Sequence, residues 1–387
     1  MVELPYMDNQ IKRTLEAAVL GTLSKDKAPA VVLYGPRRVG KTTIAEKVMA
    51  KMALNAHYFA CDNPDVSSKL SNIGLTELTN LVKPYQLLVF DEAQRVLNIG
   101  NTLKLITDYL PEKKVLVTSS SSLNLANTIT EPLTGRKKSY FLYPLALSEI
   151  MPERDDISLS ASLSNWMRFG LYPQVHQLAL DTDKADYLTE LSNDYLYRDA
   201  LHFIGSKNTE DVRKLLVAIA LQIGQEVSYT ELAQTVGMDH KTVIRYIELL
   251  EESFVIVRLS AFSRNLRTEL KKTRKIYFYD VGVRNALLRN FNSFELRNDT
   301  GHVWENFAII ERMKRDAYAG IKKNYYFWRT HDQKEVDLIE ESGGVLTAIE
   351  IKWKDEGQTA GQKSFIQTYP DSNQLVLNAT TGWNCFY

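Results

Sequence analysis

The residues with the clearest capacity for chemistry are those from Gly35 to Thr42, which read Gly-Pro-Arg-Arg-Val-Gly-Lys-Thr and fit the phosphate-loop pattern GxxxxGK(S/T). Gly35 and Gly40 allow the backbone to form a nest of N–H groups that can approach phosphate oxygens closely. Lys41 is predicted to reach the outer phosphates, and Thr42 to offer its hydroxyl to Mg²⁺. We therefore predict that this loop binds ATP together with Mg²⁺. The predicted nucleotide contacts in this segment are Gly35, Pro36, Arg37, Arg38, Val39, Gly40, Lys41, Thr42 and Thr43.

The flanking sequence favours a nucleotide loop over an ordinary glycine-rich turn. An apolar run over residues 30–34 predicts a buried strand before the loop. Ile44, Val48 and Met52 are spaced to lie on one face of a helix predicted over residues 42–52. The positive end of that helix dipole would point at the same phosphates. Strand, loop and helix in this order therefore predict a P-loop nucleotide site.

Two carboxylates, Asp91 and Glu92, follow an apolar run over residues 87–90. An acidic strand end of this kind is where a Walker B element lies relative to a phosphate loop. We predict that Asp91 holds Mg²⁺ through water and that Glu92 acts as the general base for the attacking water. The alternative is that these acids end the strand only because the following loop is solvated.

Two further groups are candidates for contact with the γ-phosphate. The strand predicted over residues 115–118 runs into a serine cluster, so that Thr118 or Ser119 would sense the phosphate; alternatively, the serines form a plain turn. Arg136 follows a glycine that allows an abrupt turn, and could present its guanidinium to the γ-phosphate within one chain or across a subunit contact. Action across subunits requires a homo-oligomer. The predicted catalytic residues are Lys41, Glu92 and Arg136.

Length and composition limit the classes of protein that the chain can represent. Its 387 residues exceed what one hydrophobic core usually serves, and 44% of them are apolar. The 47 basic and 47 acidic residues leave no net charge, so that any nucleic-acid surface must be local. Cys61 and Cys385 form no metal or redox spacing, which fits a reducing compartment. The apolar runs are too short to cross a bilayer, and we expect a cytoplasmic protein without membrane association.

The order of apolar segments predicts an α/β protein of several domains. Five segments in the first third resemble buried parallel strands separated by helical stretches, which predicts a layered P-loop ATPase core over residues 1–145. Residues 146–207 are predicted to form a helical lid. Residues 208–290 are predicted to form a winged helix, and residues 291–387 a further α/β domain. The five predicted strands cover residues 30–34, 57–61, 87–90, 115–118 and 140–142.

A candidate DNA-facing segment lies over residues 228–250, where a helix, a turn at Gly237 and a second helix are predicted. Its exposed face would carry His240, Lys241 and Arg245, although acidic residues lie close by. A basic run beyond it would form a wing that touches phosphates. Many winged helices instead pack against proteins, so that DNA and protein partners both stay open. The basic residues of this run are Arg258, Arg264, Arg267, Lys271, Lys272, Arg274 and Lys275.

Acidic residues near the carboxyl terminus indicate a second candidate metal site. Strand periodicity of two places Glu350 and Lys352 on one face of a strand. Asp337 lies on the preceding strand, and Glu305 on the helix before it could complete a set of hard oxygen ligands for Mg²⁺. Lys352 could orient a water or neutralise charge on a cleaved phosphate. The alternative is an ordinary solvated strand face.

Nine short motifs are spread along the chain: Gly35-Pro-Arg-Arg-Val-Gly-Lys-Thr-Thr43, Phe90-Asp-Glu-Ala-Gln94, Leu133-Thr-Gly-Arg136, Gly170-Leu-Tyr-Pro173, Tyr197-Arg-Asp199, Tyr277-Phe-Tyr-Asp-Val-Gly282, Trp304-Glu-Asn-Phe307, Glu335-Val-Asp337 and Glu350-Ile-Lys352. Together they resemble prokaryotic AAA-type ATP-binding proteins that join a P-loop core to a winged helix and a domain similar to the PD-(D/E)XK restriction-endonuclease fold. The resemblance implies ATP binding at the first motif. It also places Glu305, Asp337, Glu350 and Lys352 where that nuclease superfamily keeps its metal-binding acids and lysine. Ser119 departs from the glycine that such proteins often carry there.

The function that this pattern favours is hydrolysis of MgATP by an AAA-like P-loop ATPase, whose cycle repositions a winged helix and a nuclease-like domain acting on or with DNA. One alternative is an Mg²⁺-dependent DNA nuclease that ATP licenses. A second alternative is a nucleotide-switched regulator that binds DNA or a partner protein and hydrolyses ATP too slowly to matter.

Overall fold

A computed structural model describes residues 11–121, 133–204, 209–263, 274–354, 357, 359–380 and 382–387 of the chain. The chain divides into two compact units, which take in residues 1–145 with 252–254 and residues 146–251 with 255–387. Over the described residues, we find no helix with the length and apolar character that crossing a membrane requires.

The first unit is built on a five-stranded sheet in which all neighbouring strands run parallel. Its strands are β1 (Ala30–Tyr34), β2 (Ala56–Ala60), β3 (Leu87–Asp91), β4 (Lys114–Ser119) and β5 (Lys137–Phe141). The order across the sheet is β2, β3, β4, β1, β5, so that β4 lies between the strand before the phosphate loop and the strand that ends at Asp91. The carboxyl ends of β1, β3 and β4 therefore lie side by side at one end of the strands.

The prediction of a parallel α/β sheet is confirmed, and the predicted strands differ from the observed ones mainly at their ends. β1 agrees with its prediction at both ends. β5 begins three residues before the predicted residues 140–142. It is an outer strand of the sheet, and Lys138 and Ser139 in its first half are exposed. An edge strand of this kind carries no apolar pattern that would reveal it in the sequence.

The described helices of the first unit are α1 (Thr14–Leu23), α2 (Lys41–Met52), α3 (Pro64–Leu70), α4 (Leu75–Val82) and α5 (Ile99–Tyr109). Apolar side chains of α3, α4 and α5 join a core cluster with alternate strand residues such as Val32 and Phe90. The strand residues between them, such as Val31 and Leu33, are also fully buried, so that the sheet is covered on both faces. Burial of each such side chain contributes roughly 1.5–3 kcal/mol, and the packed sheet gives the edge that carries the phosphate loop a rigid support.

The second unit combines helices with a seven-stranded sheet. Its described helices are α6 (Leu147–Ile150), α7 (Asp156–Phe169), α8 (Pro173–Gln177), α9 (Asp181–Ile204), α10 (Thr209–Leu221), α11 (Tyr229–Val236), α12 (His240–Glu252), α13 (Val281–Leu287), α14 (Thr300–Tyr318) and α15 (Ala360–Thr368). Its strands are β6 (Glu226–Val227), β7 (Ile256–Ala261), β8 (Arg274–Phe278), β9 (Asn324–Arg329), β10 (Glu335–Ser342), β11 (Val345–Lys352) and β12 (Asn373–Asn378).

The sheet of the second unit has the order β12, β11, β10, β9, β7, β8, β6. β10 pairs antiparallel with both β9 and β11, whereas β7 pairs parallel with β9 through Ser260 opposite Tyr326 and Ala261 opposite Phe327. This last pairing joins strands from the two sides of the boundary predicted at residue 290. The predicted segments 208–290 and 291–387 therefore share one hydrogen-bonded sheet, which the sequence pattern did not reveal.

The helix, turn and helix predicted over residues 228–250 are observed as α11 and α12. Gly237 ends α11 in the left-handed conformation (φ +72°), where a residue without Cβ carries no steric penalty. Val243, Ile247 and Leu250 are buried on one face of α12, as their spacing predicts.

Two of the short motifs meet at the buried carboxylate of Asp280. One of its oxygens accepts a hydrogen bond from the amide of Gly282 (2.9 Å) and caps α13, and the other accepts from the amide of Leu171 (2.7 Å). Gly170 has φ +69°, and a Cβ there would lie 1.9 Å from Asp280 Oδ1. Burial raises the pKa of Asp280 to about 6 despite these hydrogen bonds. The glycines and the aspartate of these motifs thus serve close packing between α7 and α13.

Candidate functional site

The phosphate loop begins where β1 ends, at a glycine that no other residue can replace without rearrangement. Gly35 has φ +153°, and a Cβ on it would lie 2.1 Å from the carbonyl oxygen of Leu142. Its amide donates to the carbonyl oxygen of Ser119 (3.2 Å), and the amide of Leu142 donates to the carbonyl of Tyr34 (2.7 Å). The first residue of the loop is therefore held between the ends of β4 and β5.

The loop ends at the amino terminus of α2. Gly40 has φ +97° and precedes the first helical residue, Lys41, and its carbonyl accepts the first helical hydrogen bond, from the amide of Ile44 (3.0 Å). The helix amides at this end and the helix dipole favour an anion in front of the loop. The conformation is therefore suited to phosphate.

The ammonium of Lys41 closes the loop on itself. Its Nζ donates to the carbonyl oxygens of Gly35 (2.9 Å) and Pro36 (2.7 Å), and the side chain is buried, with 5% exposure. Glu92 Oε1 lies 4.0 Å from the same nitrogen. A bound phosphate would compete with these carbonyls for the ammonium, because a charge-assisted bond to phosphate is stronger than a bond to a neutral carbonyl.

Three hydroxyl groups surround the carboxylate of Asp91. Thr42 Oγ1 donates to Oδ2 (2.9 Å), Tyr58 Oη donates to the same oxygen (2.6 Å), and Thr118 Oγ1 donates to Oδ1 (2.5 Å). Burial, followed by the hydrogen bond to Asp91, raises the pKa of Tyr58 well above its usual value. The Thr42 hydroxyl and a carboxylate side by side are the hard oxygen donors that Mg²⁺ prefers, so that these residues fit a magnesium ion bound with a nucleotide.

The carboxylate of Glu92 is held by two polar side chains. Gln94 Nε2 and Ser120 Oγ donate to its Oε2 at 2.5 and 2.8 Å, and Gln94 Nε2 also donates to Ser120 Oγ (2.8 Å). Glu92 itself has φ +53°, a left-handed conformation that costs energy for a residue with Cβ. Burial alone would raise the pKa of Glu92, but Lys41 and these hydrogen bonds lower it below its usual value. The predicted base is therefore ionised and restrained.

The two candidate phosphate sensors have other partners. Thr118 accepts from the backbone amide of Glu92 (3.0 Å) in addition to its bond to Asp91, and Ser119 Oγ donates to Gln94 Oε1 (2.9 Å). Both side chains are fully buried. Both lie at the end of β4, between β1 and β3, and contact with a phosphate stays a prediction for both.

Arg136 lies at the amino-terminal end of the parallel strands, whereas the phosphate loop lies at their carboxyl-terminal end. Its carbonyl pairs with the amide of Ala30, the first residue of β1, whereas the loop follows Tyr34 at the other end of that strand. Four strand residues separate the two positions by about 13 Å. The Arg136 guanidinium forms a salt bridge with Asp108 (3.0 Å). The prediction that Arg136 acts on the γ-phosphate of its own chain is therefore wrong. Its action across a subunit contact stays a prediction.

The other predicted loop contacts differ in exposure. Pro36 and Val39 are buried, Arg37 and Thr43 are half-buried, and Arg38 is exposed with φ +58°. Their contacts with a nucleotide stay predictions.

A buried arginine outside the motif supports the loop from behind. Arg13, just before α1, is 6% exposed. Its Nη1 donates to the carbonyl of Val39 within the loop (2.5 Å), and its Nη2 donates to the carbonyl of Tyr143 (2.7 Å). The sequence contained no local signal for this role, nor for those of Tyr58 and Gln94.

The predicted carboxyl-terminal acids lie close to one another in the second unit. Glu305 Oε1 accepts from Tyr277 Oη (2.6 Å), and Glu350 Oε1 accepts from the Thr359 hydroxyl (2.5 Å). Lys352 Nζ lies 3.2 Å from Glu350 Oε2, as the strand periodicity predicts. Burial and the neighbouring Glu305 and Glu350 carboxylates raise the pKa of Asp337 well above its usual value, against the opposite effect of nearby lysines.

The ammonium of Lys275 lies among these acids. Its Nζ is 3.2 Å from Glu305 Oε1 and also contacts Glu335, and the side chain is 1% exposed. Burial alone would lower the pKa of Lys275, but Glu305, Asp337 and Glu335 raise it above its usual value. Over the described part of the chain, no three His, Cys, Asp or Glu side chains are grouped so that they could hold a metal ion. The arrangement therefore does not fit the predicted Mg²⁺ site.

The predicted basic wing is only partly described. Arg258 is half-buried and bonded to Glu251 and Tyr229, and Lys275 is buried, so that neither is available for a DNA phosphate. Arg274 is half-buried. On α12, exposed positions include those predicted to face DNA: His240, Lys241 and Arg245. Outside the described residues lie Arg264, Arg267, Lys271 and Lys272.

Three sequence families match consecutive parts of the chain. Residues 27–151 match the family described as AAA domain, residues 160–293 match domain of unknown function DUF8612, and residues 300–382 match domain of unknown function DUF4143. The first match contains both the phosphate loop and the acidic end of β3.

Curated proteins with similar sequences include the uncharacterized protein Rv2008c of Mycobacterium tuberculosis, which is 28% identical over 84% of this chain and 70% of its own length. The uncharacterized protein MJ1544 of Methanocaldococcus jannaschii is 23% identical over 80% of this chain and 71% of its own length.

Similar solved structures include the RuvB Holliday junction branch migration motor of Thermotoga maritima, with 18% identity, 67% of this chain and 91% of that chain covered, and a TM-score of 0.31. Pif1 of Bacteroides bound to single-stranded DNA has 14% identity, 48% of this chain and 50% of that chain covered, and a TM-score of 0.26. At such TM-scores the likeness carries no argument about function. The family match over residues 27–151 and the geometry of the loop agree, and both support an AAA-type P-loop domain in this part of the chain.

Proposed function

We propose that the chain binds MgATP at the phosphate loop and hydrolyses it. The observation that carries this proposal is the placement of Lys41 and Thr42, from the loop, against Asp91 and Glu92, from the end of β3. These four side chains come from two segments of the sequence and supply the cation, the metal ligands and the base that phosphoryl transfer to water requires.

In this mechanism each group has one task. The loop amides and the Lys41 ammonium bind the β- and γ-phosphates, and Lys41 exchanges the carbonyls of Gly35 and Pro36 for phosphate oxygens. Thr42 and Asp91 would hold Mg²⁺. When bound, the ion neutralises charge that develops on the phosphate oxygens.

Glu92 orients the attacking water and accepts its proton, and its lowered pKa keeps the carboxylate ionised at neutral pH. The carboxylate must first exchange at least one of its bonds to Gln94 and Ser120 for the water. Because two donors hold this carboxylate, we expect slow basal turnover that a partner can raise.

A regulator that hydrolyses ATP slowly is the second candidate function, and the restraint on Glu92 favours it. The succession of α10, β6, α11, α12, β7 and β8 is the order of elements in a winged helix, a module that contacts DNA or proteins. The exposed His240, Lys241 and Arg245 on α12 make DNA the first partner to test. A homo-oligomer in which Arg136 reaches a neighbouring active site belongs to the same proposal.

The test measures MgATP binding and turnover for wild type, Lys41→Ala and Glu92→Gln, each with and without duplex DNA. Lys41→Ala is expected to lose binding, whereas Glu92→Gln is expected to bind ATP and lose turnover by at least about a hundredfold. Normal turnover in Lys41→Ala would refute the assignment of the site. Turnover that stays negligible with and without DNA, together with tight binding, would select the regulator over the ATPase.

The nuclease alternative depends on metal at Glu305, Asp337 and Glu350, with Lys352 beside them. The position of Lys275 speaks against that site as it is folded. Plasmid cleavage that requires Mg²⁺ and disappears in Asp337→Ala would restore the alternative.

A further inference from the structure

The carboxylate cluster of the second unit contains a lysine that the nuclease-like pattern does not assign. Lys275 comes from β8, on the other side of β7 and β9 from the strands that carry Asp337 and Glu350. Its side chain is 1% exposed, and its Nζ lies 3.2 Å from Glu305 Oε1 and in contact with Glu335 Oε1. A buried ammonium in contact with two carboxylates is a cation enclosed by anions, which is the arrangement that a bound metal ion would have.

Glu305, the acid predicted to complete the metal site, has both carboxylate oxygens enclosed. Oε1 accepts from Tyr277 Oη (2.6 Å) and from Lys275. Oε2 faces Gly224, where a Cβ would approach it to 3.0 Å, and lies 3.9 Å from His302 Nδ1. A six-coordinate ion with its waters therefore has no open approach to this carboxylate as long as Lys275 is present.

The remaining acids also have partners within the protein. Asp337 Oδ2 accepts from the amide of Ile351 (2.8 Å), and the two oxygens of Glu350 contact Thr359 and Lys352. Glu335 Oε2 lies 3.3 Å from Arg329 Nη1. Each carboxylate of the cluster is thus satisfied by a hydrogen-bond donor or a cation of the same chain.

A divalent ion and a buried ammonium exclude each other in such a cluster. The ion would need direct contact with carboxylate oxygens at about 2.0–2.1 Å, and this would place it within a few ångströms of Lys275 Nζ. Repulsion between the two positive charges is weakly screened in a buried site. We propose that the Lys275 ammonium is the resident cation of this carboxylate cluster, in place of a divalent metal, and that the folded site does not bind Mg²⁺ or Mn²⁺.

Binding of Mn²⁺ to the nucleotide-free full chain, followed by the EPR signal of the free ion, tests this inference. Wild type is expected to show no Mn²⁺ site that depends on Glu305 or Asp337. Lys275→Met is expected to gain one site, with affinity at least about tenfold above wild type, because the acids then lack their cation. The gain should disappear in Lys275→Met with Glu305→Gln.

The controls separate this cluster from the nucleotide site. Asp91→Asn reveals any Mn²⁺ held at the phosphate loop, and Lys275→Arg keeps the positive charge and should bind no more Mn²⁺ than wild type. Circular dichroism reports whether Lys275→Met folds. Lys275→Gln is the second variant, since its amide still donates to the two carboxylates and should preserve the fold.

Two results would overturn the inference. The first is one Mn²⁺ per wild-type chain that is lost in Glu305→Gln or Asp337→Asn, since the cluster would then be a metal site. The second is a folded Lys275→Met or Lys275→Gln that gains no Mn²⁺ site, since Lys275 would then not be what excludes the ion. Neither result depends on ATP turnover, so that this inference and the proposed ATPase activity can fail separately.

Discussion

Replacement of Arg13 by alanine is expected to weaken ATP binding without abolishing turnover at saturating ATP. The guanidinium joins the loop carbonyl of Val39 to the carbonyl of Tyr143, and it lies behind the loop. A Cβ added to Gly40 would lie 3.6 Å from Arg13 Nη1, so that the arginine also lies close to the residue that precedes α2. The arginine therefore orders the loop before the nucleotide arrives.

The magnitude follows from the hydrogen bond to Val39. A buried hydrogen bond from a charged group contributes roughly 1.5–3 kcal/mol. If the free loop loses that restraint and must regain it on binding, the Kd for MgATP rises by about ten- to a hundredfold. The kcat should change by less than about threefold, because the lost contact acts equally in the ground state and the transition state.

Isothermal titration calorimetry of MgATP binding and steady-state turnover measure the two quantities. Lys12→Ala is the matched control, since it removes the neighbouring charge from an exposed position and should leave the Kd within about twofold of wild type. Arg13→Lys should lie between wild type and alanine, because one ammonium can reach only one of the two carbonyls. A folded Arg13→Ala protein with a wild-type Kd would refute the reasoning.

Three further predictions concern single contacts. Gln94→Ala should raise basal ATP turnover, because Glu92 loses one of the two donors that restrain it; a fall in turnover would mean that Gln94 positions the base productively. Gly35→Ala should abolish ATP binding, because the added Cβ would lie 2.1 Å from the carbonyl oxygen of Leu142. Unaltered binding would mean that ATP binding does not require this close approach of the loop to Leu142. Asp280→Asn should remove a pH dependence of stability. The raised pKa of about 6 means that the folded state binds the proton more tightly than the unfolded state, so that wild type should lose roughly 2 kcal/mol relative to the variant as pH rises from 4 to 7. Denaturant unfolding at several pH values measures this difference, and parallel curves for the two proteins would contradict it.

The phosphate loop and the acidic end of β3 could be recognised from the sequence because their chemistry depends on local spacing. A glycine at each end of the loop, followed by Lys41 and Thr42, is sufficient to indicate the backbone conformation and to predict a phosphate ligand. Asp91 and Glu92 could be placed because parallel strands bring their carboxyl ends to one edge of a sheet. The helix, glycine turn and helix around Gly237 also follow from short-range periodicity.

The partners of these residues were decided by contacts between distant segments. Arg13 reaches Val39 and Tyr143, and Tyr58 reaches Asp91, because the packed sheet places segments side by side that lie far apart in the sequence. No local pattern records such a contact.

The same cause explains two of the predictions that the structure changed. Arg136 follows a turn that suits an arginine finger, but the register of β5 against β1 places it at the far edge of the sheet. Lys275 belongs to a basic run in the sequence, yet β8 directs it into the carboxylates of α14 and β10. Residue types and spacing determine which chemistry is available, whereas strand order and register determine which groups meet, because burial and charge depend on neighbours in space.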